Sequence, residues 1–174
     1  MRESSNRRTV TDTDSYAFFV QQKRQRGDDR GRAVIMKLLL IYGEQDAGKS
    51  TSCLRLYHTL KGLDATVEFY ERFSWGDFKS VVTLNGSKIA IYSAGDEKQH
   101  LMNAIEFGQN QGCEVLVAVV RYKTHYNETL QELTCGEDFF WFTLDKGNDH
   151  NEMNRNESRM VMQLLDEIFK MIGL

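Results

Sequence analysis

Continuous apolar runs along the chain predict buried strands, and segments in which apolar residues recur every three or four positions predict helices. The predicted strands cover residues 34–42, 65–70, 78–84, 88–93, 115–120 and 138–144. One predicted helix begins near residue 49, and three others cover residues 97–111, 124–133 and 156–172. A polar loop at 145–154 precedes the last of them. Because strands and helices alternate, we expect an α/β fold of three layers, with helices on both faces of a mainly parallel sheet.

One pair of strands is expected to run antiparallel. Asn85 and Gly86 lie between two β-type runs, and an Asn-Gly pair in this setting is a strong signal for a tight hairpin. The sheet is therefore predicted to contain one antiparallel hairpin strand among parallel ones. In such a sheet the loops that follow the parallel strands gather at one edge, where ligands bind.

Residues 1–35 differ in composition from the rest of the chain. They are rich in polar residues and contain eight basic and five acidic side chains, whereas the remainder contains fourteen basic and twenty acidic ones. A segment so poor in apolar residues cannot bury enough surface to fold alone, so we expect a flexible N-terminal extension followed by one domain at residues 36–174. The acidic balance of that domain gives no signal for nucleic-acid binding.

The overall composition is that of a soluble globular protein, with 41% hydrophobic and 27% charged residues. No apolar run is long enough to span a membrane, and the polar start of the chain does not resemble a secretory signal. We therefore expect a cytoplasmic protein without membrane contact. The wide spacing of the cysteines favours buried thiols over a disulfide or a zinc site: Cys53, Cys113 and Cys135.

One motif connects the first predicted strand to the first predicted helix. Residues 43–50 read Gly-Glu-Gln-Asp-Ala-Gly-Lys-Ser, which has the form G-x-x-x-x-G-K-[ST]. Gly43 and Gly48 permit backbone conformations and close approaches that a side chain would forbid. The N–H groups of such a loop form a concave site for an anion, and the following helix directs the positive end of its dipole there. A phosphate-binding loop is therefore predicted.

With this motif between a strand and a helix, the chain resembles the P-loop NTPase superfamily. The resemblance implies a P-loop NTPase fold that binds ATP or GTP with Mg²⁺. Lys49 would reach the β- and γ-phosphates, and the Ser50 hydroxyl would be a Mg²⁺ ligand. The residues implied to bind the nucleotide in this loop are Gly43, Glu44, Gln45, Asp46, Ala47, Gly48, Lys49, Ser50 and Thr51.

A second segment, residues 93–97, is similar in place to the D-x-x-G switch of small Ras-like GTPases. Gly95 is present, and its N–H group is expected to bind the γ-phosphate. Neither the position that this motif implies for an acid, Tyr92, nor the strand end at Ser93 carries a carboxylate. The nearest acidic residues are Asp96 and Glu97. Two interpretations stay open: these acids orient water for hydrolysis, or they begin a helix, where acids offset the dipole.

Other charged residues are placed at the same edge of the predicted sheet. Arg121 and Lys123 follow the strand at 115–120, and either is a candidate to stabilise the transferring phosphoryl group, the alternative being a solvated basic loop. Glu68, Glu71 and Asp77 precede the hairpin and are weaker candidates for contact with Mg²⁺ or a substrate. No N-K-x-D guanine motif is present, so the base stays undecided.

Three functions are consistent with these residues. The first is hydrolysis of a nucleoside triphosphate, with Lys49, Asp96 and Arg121 as catalytic candidates and the loops at 71–78 and 93–98 as moving parts of a switch. The second is a kinase that transfers the γ-phosphate to a small acceptor. The third is a module that binds a nucleotide without turnover and recruits an unidentified protein partner.

Overall fold

The computed structural model describes residues 36–73, 75–121 and 139–174. These residues form six strands and three helices in this order: β1 (Lys37–Tyr42), α1 (Lys49–Gly62), β2 (Thr66–Arg72), β3 (Phe78–Leu84), β4 (Ser87–Tyr92), α2 (Lys98–Asn110), β5 (Val115–Val120), β6 (Phe139–Thr143) and α3 (His150–Ile172). The predictions of an N-terminal extension and of a helix at 124–133 lie outside the described residues. None of the described helices is long and apolar enough to cross a bilayer.

The six strands form one sheet in the order β2-β3-β4-β5-β1-β6. Strands β4, β5, β1 and β6 are parallel, and β3 is antiparallel to both of its neighbours. The predicted hairpin joins β3 to β4, and both turn residues, Asn85 and Gly86, have positive φ angles of 50° and 83°. A mixed α/β fold with a mostly parallel sheet is therefore confirmed.

Helices pack against both faces of this sheet. Helices α1 and α3 share one core cluster with alternate residues of β1, β4 and β5, among them Leu39, Ile91 and Val117. Helix α2 lies against the other face, where a side chain added at Gly108 would meet the sulfur of Met36 and the methyl group of Ala90. Strand β5 is buried along its whole length because it lies between two strands and is covered on both faces.

The last helix begins earlier than predicted. The sequence suggested a polar loop at 145–154, but α3 starts at His150. The reason is a local cap: the Asp149 side chain accepts a hydrogen bond of 2.8 Å from the N–H group of Glu152. An N-cap of this kind satisfies a free donor of the first turn, so a polar sequence can begin a helix that its apolar stripe enters only later.

The prediction that residues 138–144 form a buried strand is wrong in its burial. Strand β6 pairs with β1 alone in the described sheet and lies at its edge. Phe140 is 40% exposed, and Phe139, Trp141 and Phe142 are half-buried. An aromatic run fits a half-covered pleated surface as well as a buried one, so its composition does not indicate the depth of burial.

Candidate functional site

The predicted phosphate-binding loop leaves the end of β1 and enters α1 without a break. Helix α1 begins at Lys49, directly after Gly48, which has a φ of 93°. Gly48 has no side chain to cap the helix, and the first turn contains no acidic residue. The first hydrogen bond within the turn is donated by Ser52 to the Gly48 carbonyl. The start of α1 therefore has no side-chain cap, and its positive end faces this loop.

Lys49 is held over the loop by main-chain oxygens. Its Nζ donates to the carbonyl of Gly43 at 2.8 Å and to that of Glu44 at 2.6 Å, and the residue is only 8% exposed. Burial lowers the pKa of Lys49, and the nearby Arg121 lowers it further, while Asp96 and Asp46 oppose both effects. The ammonium group thus has two neutral carbonyl partners, and the charged oxygens of a phosphate would form stronger hydrogen bonds in their place.

A cavity of about 390 Å³ opens in front of this loop. The strands explain its position, because the parallel strands end, and the antiparallel strand β3 begins, at the same edge of the sheet. Eight of the residues proposed from the sequence for nucleotide binding or catalysis line the cavity: Gln45, Asp46, Gly48, Lys49, Ser50, Thr51, Gly95 and Asp96. Gly43 and Glu44 contribute the carbonyls that hold Lys49, and Ala47, within the loop, is fully buried.

Arg121 contacts the loop rather than lining the cavity. Its Nη2 donates to Oε1 of Gln45 at 2.7 Å, and its Nη1 lies 4.0 Å from Oδ1 of Asp96. The side chain of Asp96 is 73% exposed, so this ion pair is screened by water and contributes little to stability. The structure therefore brings two of the three catalytic candidates, Asp96 and Arg121, to one side of the loop.

Two other residues of the second segment, Gly95 and Glu97, have structural roles of their own. A Cβ atom at Gly95 would lie 2.0 Å from the carbonyl oxygen of Val119, so glycine is needed for close packing against β5. Glu97 is the N-cap residue of α2, and its N–H group donates to Nδ1 of His100 at 3.4 Å. For Glu97, this favours the interpretation that the acid begins a helix.

A buried carboxylate beside the loop was missed by sequence reasoning. Glu157 of α3 is 5% exposed, lines the cavity, and places Oε2 2.9 Å from Nη2 of Arg55. A Cβ atom at Gly48 would lie 2.3 Å from Oε1 of Glu157. The one signal in the sequence is its spacing, because Glu157 precedes Val161 and Leu164 on the apolar stripe of the helix.

The three acids that precede the hairpin separate into two groups. Glu68 and Glu71 form ion pairs on the sheet surface, with Lys88 at 3.3 Å and Lys79 at 3.0 Å. Asp77 instead lines the cavity, where its Oδ1 accepts a hydrogen bond of 2.9 Å from Oγ of the Ser93 side chain. Only Asp77, of these three weaker candidates, lies at the site.

Comparisons with known proteins add little to this geometry. No family model matches the sequence, and no curated protein matches it. Among solved structures the chain is similar to the "Crystal structure of APE1195", at 13% identity and a TM-score of 0.37, over 82% of this chain and 78% of that chain. A similarity at this level supports no conclusion about function, so any proposal must be argued from the residues of the site.

Proposed function

We propose that this protein is a P-loop NTPase, which binds a Mg²⁺-nucleoside triphosphate in the cavity at residues 43–51 and hydrolyses it. The observation that carries the proposal is the position of Lys49. Its ammonium group is buried, donates to the Gly43 and Glu44 carbonyls, and lines the cavity at a helix N-terminus that has no side-chain cap. A buried cation at a helix N-terminus without a side-chain cap supports a site for a multiply charged anion.

Each element of the loop would have a defined task. The amides of the loop and of the first turn of α1 would hold the β-phosphate, since they lie at the positive end of the helix. Lys49 would turn from its two carbonyl partners to the β- and γ-phosphates. Arg121, already bonded to Gln45, lies beside the loop and would add positive charge as negative charge develops on the phosphoryl oxygens.

The oxygen donors at this site fit Mg²⁺. Ser50 offers a hydroxyl and lines the same cavity as the carboxylate of Asp77, and hard oxygen ligands are those that this ion prefers. In the described parts of the chain no three His, Cys, Asp or Glu residues are grouped as a metal cluster, so most ligands would come from phosphate and water. When bound, the ion would supply charge that offsets that of the phosphates.

A kinase reaction is the second candidate, because another cavity adjoins the first. This cavity, of about 330 Å³, shares Ser50, Thr51 and Ser93 with the nucleotide site and is also lined by His58 and Arg72. A cationic side chain beside the place expected for phosphate is suited to an anionic acceptor. The acceptor would then compete with water for the γ-phosphate.

Radiolabelled ATP and GTP would separate the candidates. We expect the purified protein to bind one of them with Mg²⁺ and to release free phosphate, and labelled acceptor would instead identify a kinase. Lys49→Ala should abolish the nucleotide-dependent rise in melting temperature. Lys61→Ala, which removes an exposed lysine from the same helix, is the matched control and should retain it. Absence of binding by the unmodified protein would overturn the proposal.

A further inference from the structure

The residue directly after β4 is a serine, Ser93, and not a carboxylate. Ser93 is 1% exposed, and its hydroxyl accepts a hydrogen bond of 2.9 Å from the N–H group of Phe78. The same hydroxyl donates to Oδ1 of Asp77 at 2.9 Å. Ser93 thus connects the end of β4 to a carboxylate that comes from the start of the neighbouring strand.

The register of the hairpin places Asp77 there. Strands β3 and β4 pair outward from the turn, with Lys79 opposite Tyr92, and the N–H group of Ser93 donates to the Phe78 carbonyl at 2.9 Å. Asp77 directly precedes Phe78, the residue opposite Ser93, so it must lie at the edge of the sheet where β4 ends. The antiparallel strand β3 can therefore place a carboxylate at the end of β4, where β4 itself has none.

The backbone around Asp77 is also fixed. The N–H group of Phe73 donates to the Asp77 carbonyl at 2.7 Å, and the N–H group of Gly76 donates to the Phe73 carbonyl at 3.1 Å. Gly76 has a φ of 99°, which favours glycine and allows the chain to turn sharply just before Asp77. The carboxylate is thus held from both the backbone side and the Ser93 side.

Ser50 connects this pair to the loop. Its Oγ donates to the carbonyl of Ser93 at 3.3 Å, and Ser50, Ser93 and Asp77 line one cavity. The hydrogen bond from Ser93 uses one of about four lone-pair positions of the Asp77 carboxylate, so the others can accept a cation. Glu71, the next acidic residue on the N-terminal side of Asp77, lies outside the cavity and forms an ion pair with Lys79.

We propose that Asp77 is the carboxylate that binds the Mg²⁺ of the nucleotide complex, with Ser93 as the residue that positions it and Ser50 as the second protein ligand. The proposal rests on the proposed function, because it assigns a metal ligand within that site. Asp96, which lines the same cavity, is less suited because it is 73% exposed and lies beside Arg121. Glu97 is engaged at the start of α2.

The test compares nucleotide affinity with and without the metal. The dissociation constants of ATP and GTP are measured by calorimetry in excess Mg²⁺ and in EDTA, for the unmodified protein and for Asp77→Asn. The unmodified protein should bind more tightly with Mg²⁺. Asp77→Asn should keep its affinity in EDTA and lose about tenfold or more in Mg²⁺, which corresponds to about 1.4 kcal/mol.

Two further variants distinguish a metal ligand from a structural residue. Glu71→Gln removes the same charge from a carboxylate outside the cavity and should leave the effect of Mg²⁺ unchanged. Ser93→Ala keeps the carboxylate but removes its orienting hydroxyl, and should weaken the effect of Mg²⁺ by a smaller factor. Mn²⁺ in place of Mg²⁺ gives a direct signal, because loss of a protein ligand changes its relaxation of water protons in the nucleotide complex.

The outcomes are separable. If the unmodified protein binds neither nucleotide, the proposed function fails, and this assignment fails with it. If the unmodified protein binds a nucleotide and Asp77→Asn shows the same Mg²⁺ enhancement and the same Mn²⁺ relaxation, the assignment to Asp77 is overturned and the proposed function stands. Equal losses for Asp77→Asn in EDTA and in Mg²⁺ would also overturn it, since they would indicate damage to the fold.

Discussion

Gly48→Ala is expected to destabilise the protein strongly even without a ligand, because two separate costs add. Gly48 has a φ of 93°, and an L-residue held in this region loses about 1–2 kcal/mol. The added Cβ atom would also lie 2.3 Å from Oε1 of Glu157, a buried carboxylate paired with Arg55. The side chain of Glu157 must therefore shift, which weakens its pairing with Arg55.

The second cost is smaller than that of a fully buried ion pair. Arg55 is 38% exposed, so water screens the interaction, and displacement of Glu157 should cost about 1–2 kcal/mol. The sum is about 2–4 kcal/mol, which corresponds to a fall of roughly 5–15 °C in melting temperature for a domain of this size. In a Glu157→Ala background only the backbone cost should remain, about 1–2 kcal/mol.

Urea unfolding of the four proteins in this cycle measures both costs. Gly62→Ala is the control, because Gly62 ends α1 with no atom within 4 Å of an added Cβ and has no positive φ. That change should be neutral or stabilise the helix by about 0.5 kcal/mol. If Gly48→Ala costs the same in the unmodified and the Glu157→Ala backgrounds, to within about 0.5 kcal/mol, the close approach of α3 to the loop is refuted.

Two other predictions concern ionisable groups. Burial lowers the pKa of Lys49 in the free protein, and a bound phosphate should raise it again. Nucleotide binding should therefore take up protons at pH values between the free and the bound pKa. Nucleotide affinity should fall as pH rises through the pKa of the free protein. Calorimetry in buffers of different ionisation enthalpy measures this uptake, and its absence at alkaline pH would contradict contact between Lys49 and phosphate. Burial also raises the pKa of the Cys53 thiol, and that of Cys113 to about 11, so both should resist alkylation until the protein unfolds. In a Cys135→Ser protein, rapid labelling of either thiol under native conditions would show that this part of the core is more open than described.

The parts of the fold that depend on local sequence were predictable. The Asn85-Gly86 turn fixed a hairpin because only a few residues tolerate positive φ at both positions. The loop at 43–50 lies between a strand and a helix, as the spacing of its glycines and Lys49 predicted, and phosphate binding there stays a prediction. Boundaries that depend on a single cap, such as Asp149 before α3, were placed less well.

Contacts between distant parts of the chain were not predictable in the same way. The burial of Glu157 depends on how α3 packs against α1, and no local pattern encodes that contact. The exposure of Phe140 depends on the place of β6 at the edge of the sheet, which follows from topology rather than composition. The link between Asp77 and Ser93 was accessible in principle, because pairing outward from the hairpin turn already places them side by side.

The most direct measurement follows the backbone amides themselves. In ¹H-¹⁵N correlation spectra of the full chain, addition of Mg²⁺ with ATP or GTP should shift the amide signals of residues 43–51 most strongly, with the largest changes at Gly48, Lys49 and Ser50. Lys49→Ala should lose these shifts at the same nucleotide concentration. Saturation with either nucleotide that leaves the signals of residues 43–51 unmoved would contradict the account, whatever else in the spectrum changes.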